Sequence, residues 1–489
     1  MNQVWIKDLA LVSPVIVLSV GALLLILIES FVNRPWPREL FTGLVLFCGI
    51  FSLEIFAPGY VSGGTAFNGL IYADGFSWFF TFLLLVGALL ALMLGIHTLK
   101  DEGIESPGEY YVLLLISTVG AIIFSTSAEL ITLFLGLEIM SMALYCLCGS
   151  AISMRRSSES ALKYFLLGSF SSAFMLYGVA ILYGLTGSTV VDQIASAISK
   201  TDVTAMHFGM ALLLIGFVFK LGAVPFHFWA PDVYEGAPTP ITAYMACVIK
   251  ASAVAAMLRV LWTAFGELVL FWSGAIWYLA FFTMVIGNII ALRQRSLKRM
   301  LAYSSIAHAG YILVGFLAPG VDFGGGAAIL YYIVSYTVMT MGAFGVVLAV
   351  SSKHSASNHP DDISRFNGLG YRSPFLGFAM SIFMLSLAGI PPGMAGLLGK
   401  VYIFSAAVKA DYVGLAIIGV LCSAISSYYY LRVIVAMYFV EADEDESVKV
   451  ARPSFPLVGA LSICIVAAVL LGLFPSALYN SAALVMASF

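Results

Sequence analysis

The chain alternates between long apolar runs and short polar links, and windows able to cross a hydrocarbon core of about 30 Å occur fourteen times. They lie near residues 9–29, 40–57, 76–97, 109–126, 130–150, 160–185, 206–230, 239–262, 270–292, 301–318, 325–350, 374–408, 411–439 and 455–474, with a more polar segment, 186–205, after the sixth. In lipid a helix satisfies its own backbone groups whereas an open strand does not, so the runs predict helices. The first run, Leu9 to Ile28, lacks a short apolar core followed by a small-residue cleavage site, and is expected to remain as the first span. The pattern predicts an all-α polytopic membrane protein of about fourteen transmembrane helices.

Two runs are interrupted. In the seventh, Lys220 is followed by Gly222 and Pro225 within KLGAVPFHFWAPDVYEGAPTP; in the twelfth, Gly389, Pro391, Pro392 and Gly393 precede Lys400 within SLAGIPPGMAGLLGKVY. A proline removes one intrahelical hydrogen bond and collides with the preceding turn. Backbone groups freed at membrane depth persist only where protein or water satisfies them, so each break predicts a polar cavity inside the bilayer. The breaks are five spans apart. Spans four to eight and nine to thirteen would then be two five-helix units of opposite sense, the inverted repeat of many transporters, with the site at broken helices 7 and 12. The expected divisions are 1–108 (three helices), 109–264 (first repeat), 265–440 (second repeat) and 441–489 (helix 14). Residue similarity between the halves is weak, and two unrelated proline kinks are the alternative.

Loop charge gives the orientation. Alternate loops hold fourteen basic residues on one side (Arg34, Arg38, Lys100, Arg155, Arg156, Arg293, Arg295, Lys298, Arg299, Lys353, Arg365, Arg372, Lys449 and Arg452) and three on the other (Lys7, Lys200 and Lys409). The basic side should face the cytoplasm, placing both termini on the opposite side. Arg259 and Arg432 sit toward helix ends, where they can snorkel. Composition agrees with the spans: 61% of residues are hydrophobic and 10% charged. A net charge of −3, without a block of Lys and Arg, offers nucleic acid no basic face. The six cysteines (Cys48, Cys146, Cys148, Cys247, Cys422 and Cys464) all lie in apolar runs and lack metal-ligand spacing, which reads as small buried hydrophobes. No phosphate loop, dinucleotide fingerprint or iron–sulfur cysteine run is found, so no cofactor is expected in this chain itself.

Four basic residues remain inside spans: Lys163, Lys220, Lys250 and Lys400. Each charge at mid-membrane costs on the order of 2.5–3.5 kcal/mol on insertion scales, which makes such residues functional candidates. Glu138, in LFLGLEIMSM, is the carboxylate well inside an apolar run and the natural counter-charge. A rise of about 1.5 Å per residue puts Glu138 roughly 12 Å and Lys220 roughly 21 Å from the outer end, near the middle third. Lys250 is similarly placed, whereas Lys163 lies close to the cytoplasmic end of its span. A carboxylate near a buried lysine favours the charged form, so a movable pair is a proton gate; a static bridge tying two helices together is the alternative. His308, in YSSIAHAGY, can relay protons with Tyr303, Ser304 and Ser305 nearby, or can simply be a core histidine. His227, beside the first break, could be either a structural hydrogen bonder or a relay.

The runs GLEIMS, ALKYFLLG, FKLGAVPFHFWAPDVYEGAPTP, LKRMLAYSSIAHAGY and LAGIPPGMAGLLGK together resemble the N-subunit family of the proton-pumping NADH:quinone oxidoreductase, respiratory complex I. The related L and M subunits and the Mrp-type sodium/proton antiporter subunits share the breaks and the lysines, while the Asp232–Gly236 stretch, DVYEG, is similar to the N type. The resemblance implies a fourteen-helix subunit of the membrane arm with a half-channel in each repeat. Glu138 would pair with Lys220, Lys163 would modulate that pair, and Lys250 and His308 would pass protons toward Lys400. FMN, iron–sulfur clusters and the quinone pocket would belong to partner subunits. The neighbours would be an M-type and a small K-type membrane subunit, in a bacterial cytoplasmic (inner) membrane or, alternatively, a plastid membrane. An Mrp-type sodium/proton antiporter subunit and a purely structural spacer are the competing functions.

Overall fold

The apolar runs fold as helices. The computed structural model describes residues 2–32, 36–61, 63–104, 107–198, 202–320, 324–351, 361–441, 453–487 and 489. Of the basic loop residues named above, Arg34, Lys200, Lys353, Lys449 and Arg452 lie outside the described residues. The helices are α1 (Asn2–Leu11), α2 (Ser13–Phe31), α3 (Arg38–Ile55), α4 (Ala57–Val61), α5 (Gly75–Gly95), α6 (Pro107–Thr126), α7 (Leu130–Cys148), α8 (Arg155–Thr186), α9 (Val191–Ala197), α10 (Val203–Leu221) and α11 (Trp229–Gly236). There follow α12 (Thr239–Tyr244), α13 (Lys250–Arg259), α14 (Val269–Ala291), α15 (Leu297–Phe316), α16 (Gly325–Ser351), α17 (Leu369–Arg372), α18 (Pro374–Ala388), α19 (Met394–Lys409), α20 (Val413–Phe439), α21 (Phe455–Leu473) and α22 (Pro475–Ala487). Wide π turns at Met245–Ile249 and Val260–Ala264 flank α13.

Among the described residues, eleven helices are long and apolar enough to cross a membrane. This is a multi-pass, all-α membrane protein. Three further runs fall short for visible reasons: α3 carries Arg38, Glu39 and Glu54, α15 is more polar, and the stretch near 374–408 is divided into α18 and α19. A small antiparallel hairpin, with Thr65 opposite Tyr72, was not foreseen, because strands of two residues are too short to show an alternating pattern.

Burial sorts the helices. The Thr239–Ala264 stretch and α16 are almost wholly buried, whereas α21 and the stretch containing α14 are mostly unburied and turn apolar side chains such as Phe282 and Ile463 outward. The central helices therefore hold polar groups away from lipid. Around them α6 packs on α7, α7 on α8, α8 on α10 and α6 on α13; α14 packs likewise on α15, α15 on α16, α16 on α18 and α19, and α14 on α20. Two of these contacts bring main chains together. A Cβ on Gly120 would lie 2.3 Å from the Met140 amide nitrogen, and one on Gly136 2.5 Å from that of Phe124. The α14–α15 pair repeats the arrangement, with Gly287 against Ala307 and Gly310 against Met284. Small residues permit such close approach, which drives helix association in lipid.

Candidate functional site

The first interruption begins where α10 ends at Leu221. Gly222 takes a left-handed φ of 67°, a conformation that suits glycine and closes the helix. The chain then turns until α11 starts at Trp229. Groups freed by the break are satisfied by neutral donors and acceptors: the Trp229 indole donates to the Phe219 carbonyl (3.0 Å), and the Val224 amide donates to Thr283 Oγ1 (3.0 Å). Lys220, 3% exposed, is in the last turn of α10. Its ammonium lies 5.0 Å from the centroid of Tyr164 and 5.6 Å from those of Tyr145 and Phe219, with the Tyr164 hydroxyl at 3.5 Å.

Glu138 is half-buried on α7, and its Oε1 atom is screened from solvent without a hydrogen-bond partner among the described residues. It is close enough to act on Lys220 through space, yet among the described residues no ion pair joins the two. The contact expected from the sequence is thus open in this structure, and aromatic faces hold the lysine instead. His227, within the break, packs its ring at 4.5 Å from that of Phe228.

The second interruption separates α18 from α19, and Gly389 adopts φ 79°. Here the lysine itself satisfies the freed carbonyls. Lys400 Nζ donates to the Leu387 and Ala388 oxygens (3.0 Å each) and to Ser423 Oγ (2.8 Å), and stands 5.1 Å from the Tyr311 ring centroid. Its charge lies at the C-terminal end of α18, where the helix dipole favours a cation.

Between the breaks, Lys250 donates to the Ser305 carbonyl (2.6 Å) and hydroxyl (2.5 Å), and the Tyr336 hydroxyl donates to the same Oγ (2.8 Å). His308, 1% exposed, has a phenol on each ring nitrogen: Tyr332 on Nδ1 (2.5 Å) and Tyr430 on Nε2 (3.0 Å). Tyr430 also bonds the Ser304 hydroxyl. His308 is within electrostatic reach of both Lys250 and Lys400. Tyr303 takes no part in these bonds.

Lys163 is separate from this interior group. It pairs with Glu159 and Asp232 (2.8 Å each) beside an open cavity of about 220 Å³ at the loop-rich end, where Arg299 also pairs with Asp232 and Glu235. Burial opposes ionisation of Asp232, but the bonds from Lys163 and Arg299 prevail and hold its carboxyl below the usual range. Nearby, burial pushes the Asp361 carboxyl up to about 6; Lys298 opposes the shift, while Glu102 and Glu235 reinforce it.

A profile of membrane subunits described as "NADH:quinone oxidoreductase/Mrp antiporter, TM" matches residues 127–426. The chain belongs to this family. The chain is 45% identical over 442 residues to the "NADH-quinone oxidoreductase subunit N" of Trichlorobacter lovleyi, covering 90% of the chain and 89% of that protein. A subunit of respiratory complex I from Thermus thermophilus, solved with bound aureothin, shares 33% identity and a TM-score of 0.79 over 96% of this chain and 98% of the other. A chain of the Mrp complex from Dietzia sp. DQ12-45-1b has the same fold, with a TM-score of 0.84 at 19% identity over 99% of this chain and 97% of that one.

Several polar groups of this family member escape sequence reading. Tyr332, Tyr336 and Tyr430 sit among 24 tyrosines with nothing local to single them out. Arg259 does not snorkel: it is 3% exposed, bonds Asp74 at 2.8 Å, and lies against the rings of Tyr72, Phe76 and Phe489. Its position near a helix end suited snorkelling, but Asp74, the buried N-cap residue of α5, pairs with it inside the protein. Arg432 also turns inward, to the Leu292 and Gln294 carbonyls beyond α14.

Proposed function

We propose that this chain is the N-type membrane-arm subunit of a proton-pumping NADH:quinone oxidoreductase, moving protons across the membrane while electrons pass from NADH to quinone in other subunits. The observation that carries the reading is the burial, beside two interrupted helices, of Lys220, Lys250, His308 and Lys400, all within 3% exposure. Buried ionisable groups at membrane depth are costly and are retained for transport. The names of the relatives support the N type over the antiporter.

Lys220 takes and releases a proton as its distance from Glu138 changes, since a nearby carboxylate stabilises the ammonium and separation removes that support. Lys250 hands protons through Ser305, and His308 exchanges them between Tyr430 and Tyr332, one ring nitrogen accepting while the other donates. Lys400 receives or releases them at the second break. Lys163 acts on the Lys220 site indirectly, because its partner Asp232 belongs to the helix that follows the break.

The same reading takes fourteen spans, with α6 to α13 and α14 to α20 as two inverted five-helix repeats broken at helices 7 and 12; the recurring helix pairings in the two sets support it. It divides the chain at 1–108, 109–264, 265–440 and 441–489. FMN and iron–sulfur clusters belong to partner subunits, an M-type and a small K-type subunit flank the chain, and both termini face away from the cytoplasm of a bacterial cell. Lys220→Met and Lys400→Met, assembled into the whole complex in sealed vesicles, are expected to reduce protons translocated per NADH oxidised by at least about twofold. Unchanged pumping in both variants overturns the reading.

A further inference from the structure

Three aromatic rings from three helices surround the Lys220 ammonium: Tyr145 of α7, Tyr164 of α8 and Phe219 of α10, at 5.6, 5.0 and 5.6 Å from Nζ to centroid. Each is within the distance of about 6 Å at which the negative face of a ring attracts a cation. The lysine forms no ion pair among the described residues, and its polar contact is the 3.5 Å approach to the Tyr164 hydroxyl. We propose that Tyr145, Tyr164 and Phe219 are positioning residues that form a resting seat for the Lys220 ammonium and compete with Glu138 for it. The idea rests on the proton-transfer role assigned to Lys220. When the Glu138 contact opens, the charge moves onto π faces rather than into bare hydrocarbon, so opening is a choice between two stabilised positions.

The surroundings are built for the seat. A Cβ on Gly168 would lie 2.1 Å from the Tyr145 hydroxyl oxygen and 2.8 Å from its Cζ, so only glycine leaves that ring its place. Tyr145 meets Tyr164 edge-on at 4.9 Å. Trp229 stacks on Tyr164 at 4.6 Å and on Phe219 at 5.3 Å, while its indole bonds the Phe219 carbonyl. Trp229 is also the first residue of α11, directly after the break. Movement of α11 therefore reaches two of the three rings through one side chain, which links the interrupted helix to the position of the charge.

The test compares the whole complex carrying Tyr164→Leu, which removes the ring, with Tyr164→Phe, which removes only the hydroxyl. The expected result is that Tyr164→Leu lowers protons per NADH at least about twofold and displaces the pH profile of pumping by about half a unit or more, while Tyr164→Phe keeps the parent value and profile. A parent-like Leu variant, a Phe variant that behaves as Leu does, or a uniform loss with no displacement of the profile overturns the seat. Where Tyr164→Leu fails to assemble, Phe219→Leu against Phe219→Tyr decides by the same criteria. Lys220→Met separates the two failures: normal pumping in that variant sinks the proton-transfer role of Lys220 on which the seat rests, whereas a silent seat beside an inactive Lys220→Met sinks the seat alone.

Discussion

The two interrupted helices solve one problem in opposite ways. At the first, Trp229 and Thr283 take up the freed backbone groups, and Lys220 is left facing aromatic rings. At the second, Lys400 bonds the exposed carbonyls of Leu387 and Ala388 and so becomes part of the helix end. The same local sequence device, glycine and proline beside a lysine, thus yields one cation held loosely and one fastened by three hydrogen bonds. The difference separates a charge held by ring faces from one fastened to a helix end, and it extends to the neighbours: among the described residues Glu138 Oε1 has no hydrogen-bond partner, whereas both nitrogens of His308 are occupied.

The sharpest way to break this contrast is to delete each cation and measure stability rather than pumping. Lys400→Met strips the Leu387 carbonyl of its side-chain donor and leaves the Ala388 carbonyl and Ser423 with their 3.4 Å bond to each other, and should cost about 2–3 kcal/mol, read as a lowered thermal midpoint of the subunit in the assembled complex. Lys220→Met removes ring contacts and one long, 3.5 Å bond to the Tyr164 hydroxyl and should cost about 1 kcal/mol or less; equal losses would erase the distinction. Next in size, Tyr430→Phe strips a partner from both His308 and Ser304 and should destabilise by about 1–3 kcal/mol while cutting pumping severalfold, an effect Tyr164→Phe should not share.

Asp361, in the loop preceding α17 where Lys298, Glu102 and Glu235 act on it, gives a pH test. Its folded value, about 6, is above the ordinary 3.8, so the neutral form is the one the fold favours. Stability linked to it is fully present below about pH 4 and is lost as pH rises through about 6. Asp361→Asn should therefore match the parent at pH 4 and exceed it by on the order of 1–3 kcal/mol at pH 7, and a constant difference across that window would refute the assignment. The smallest effect is expected at the half-exposed Asp232, where Asp232→Asn should cost about 0–1 kcal/mol and change pumping less than twofold.

Much of this was legible in the sequence, for physical reasons. A lipid-crossing helix must be apolar along its length, so the runs announce themselves, and glycine with proline marks where they stop. Lysines in such runs stand out by cost alone. What stayed hidden depends on contacts between distant segments. Asp74 lies 185 positions from Arg259, so the arginine's position near a helix end pointed to the wrong environment. Nothing local in the sequence singles out Tyr145 and Tyr164; they matter because α7, α8 and α10 converge on one ammonium. The open state of Glu138 and Lys220 was equally invisible, because proximity along one helix says nothing about side-chain distance between two.

The glycine crossings of α6 with α7 and of α14 with α15 have a mechanical consequence. Helices whose main chains touch cannot roll or slide past each other without collision over a full turn. Each half of the molecule therefore contains a stiff post standing near a jointed rod, and elastic compliance is concentrated in the joint. Under the proposed function, a push delivered by a neighbouring subunit is expected to bend the protein at Gly222 or Gly389, the breaks where that proposal places proton transfer, rather than dissipate through the bundle.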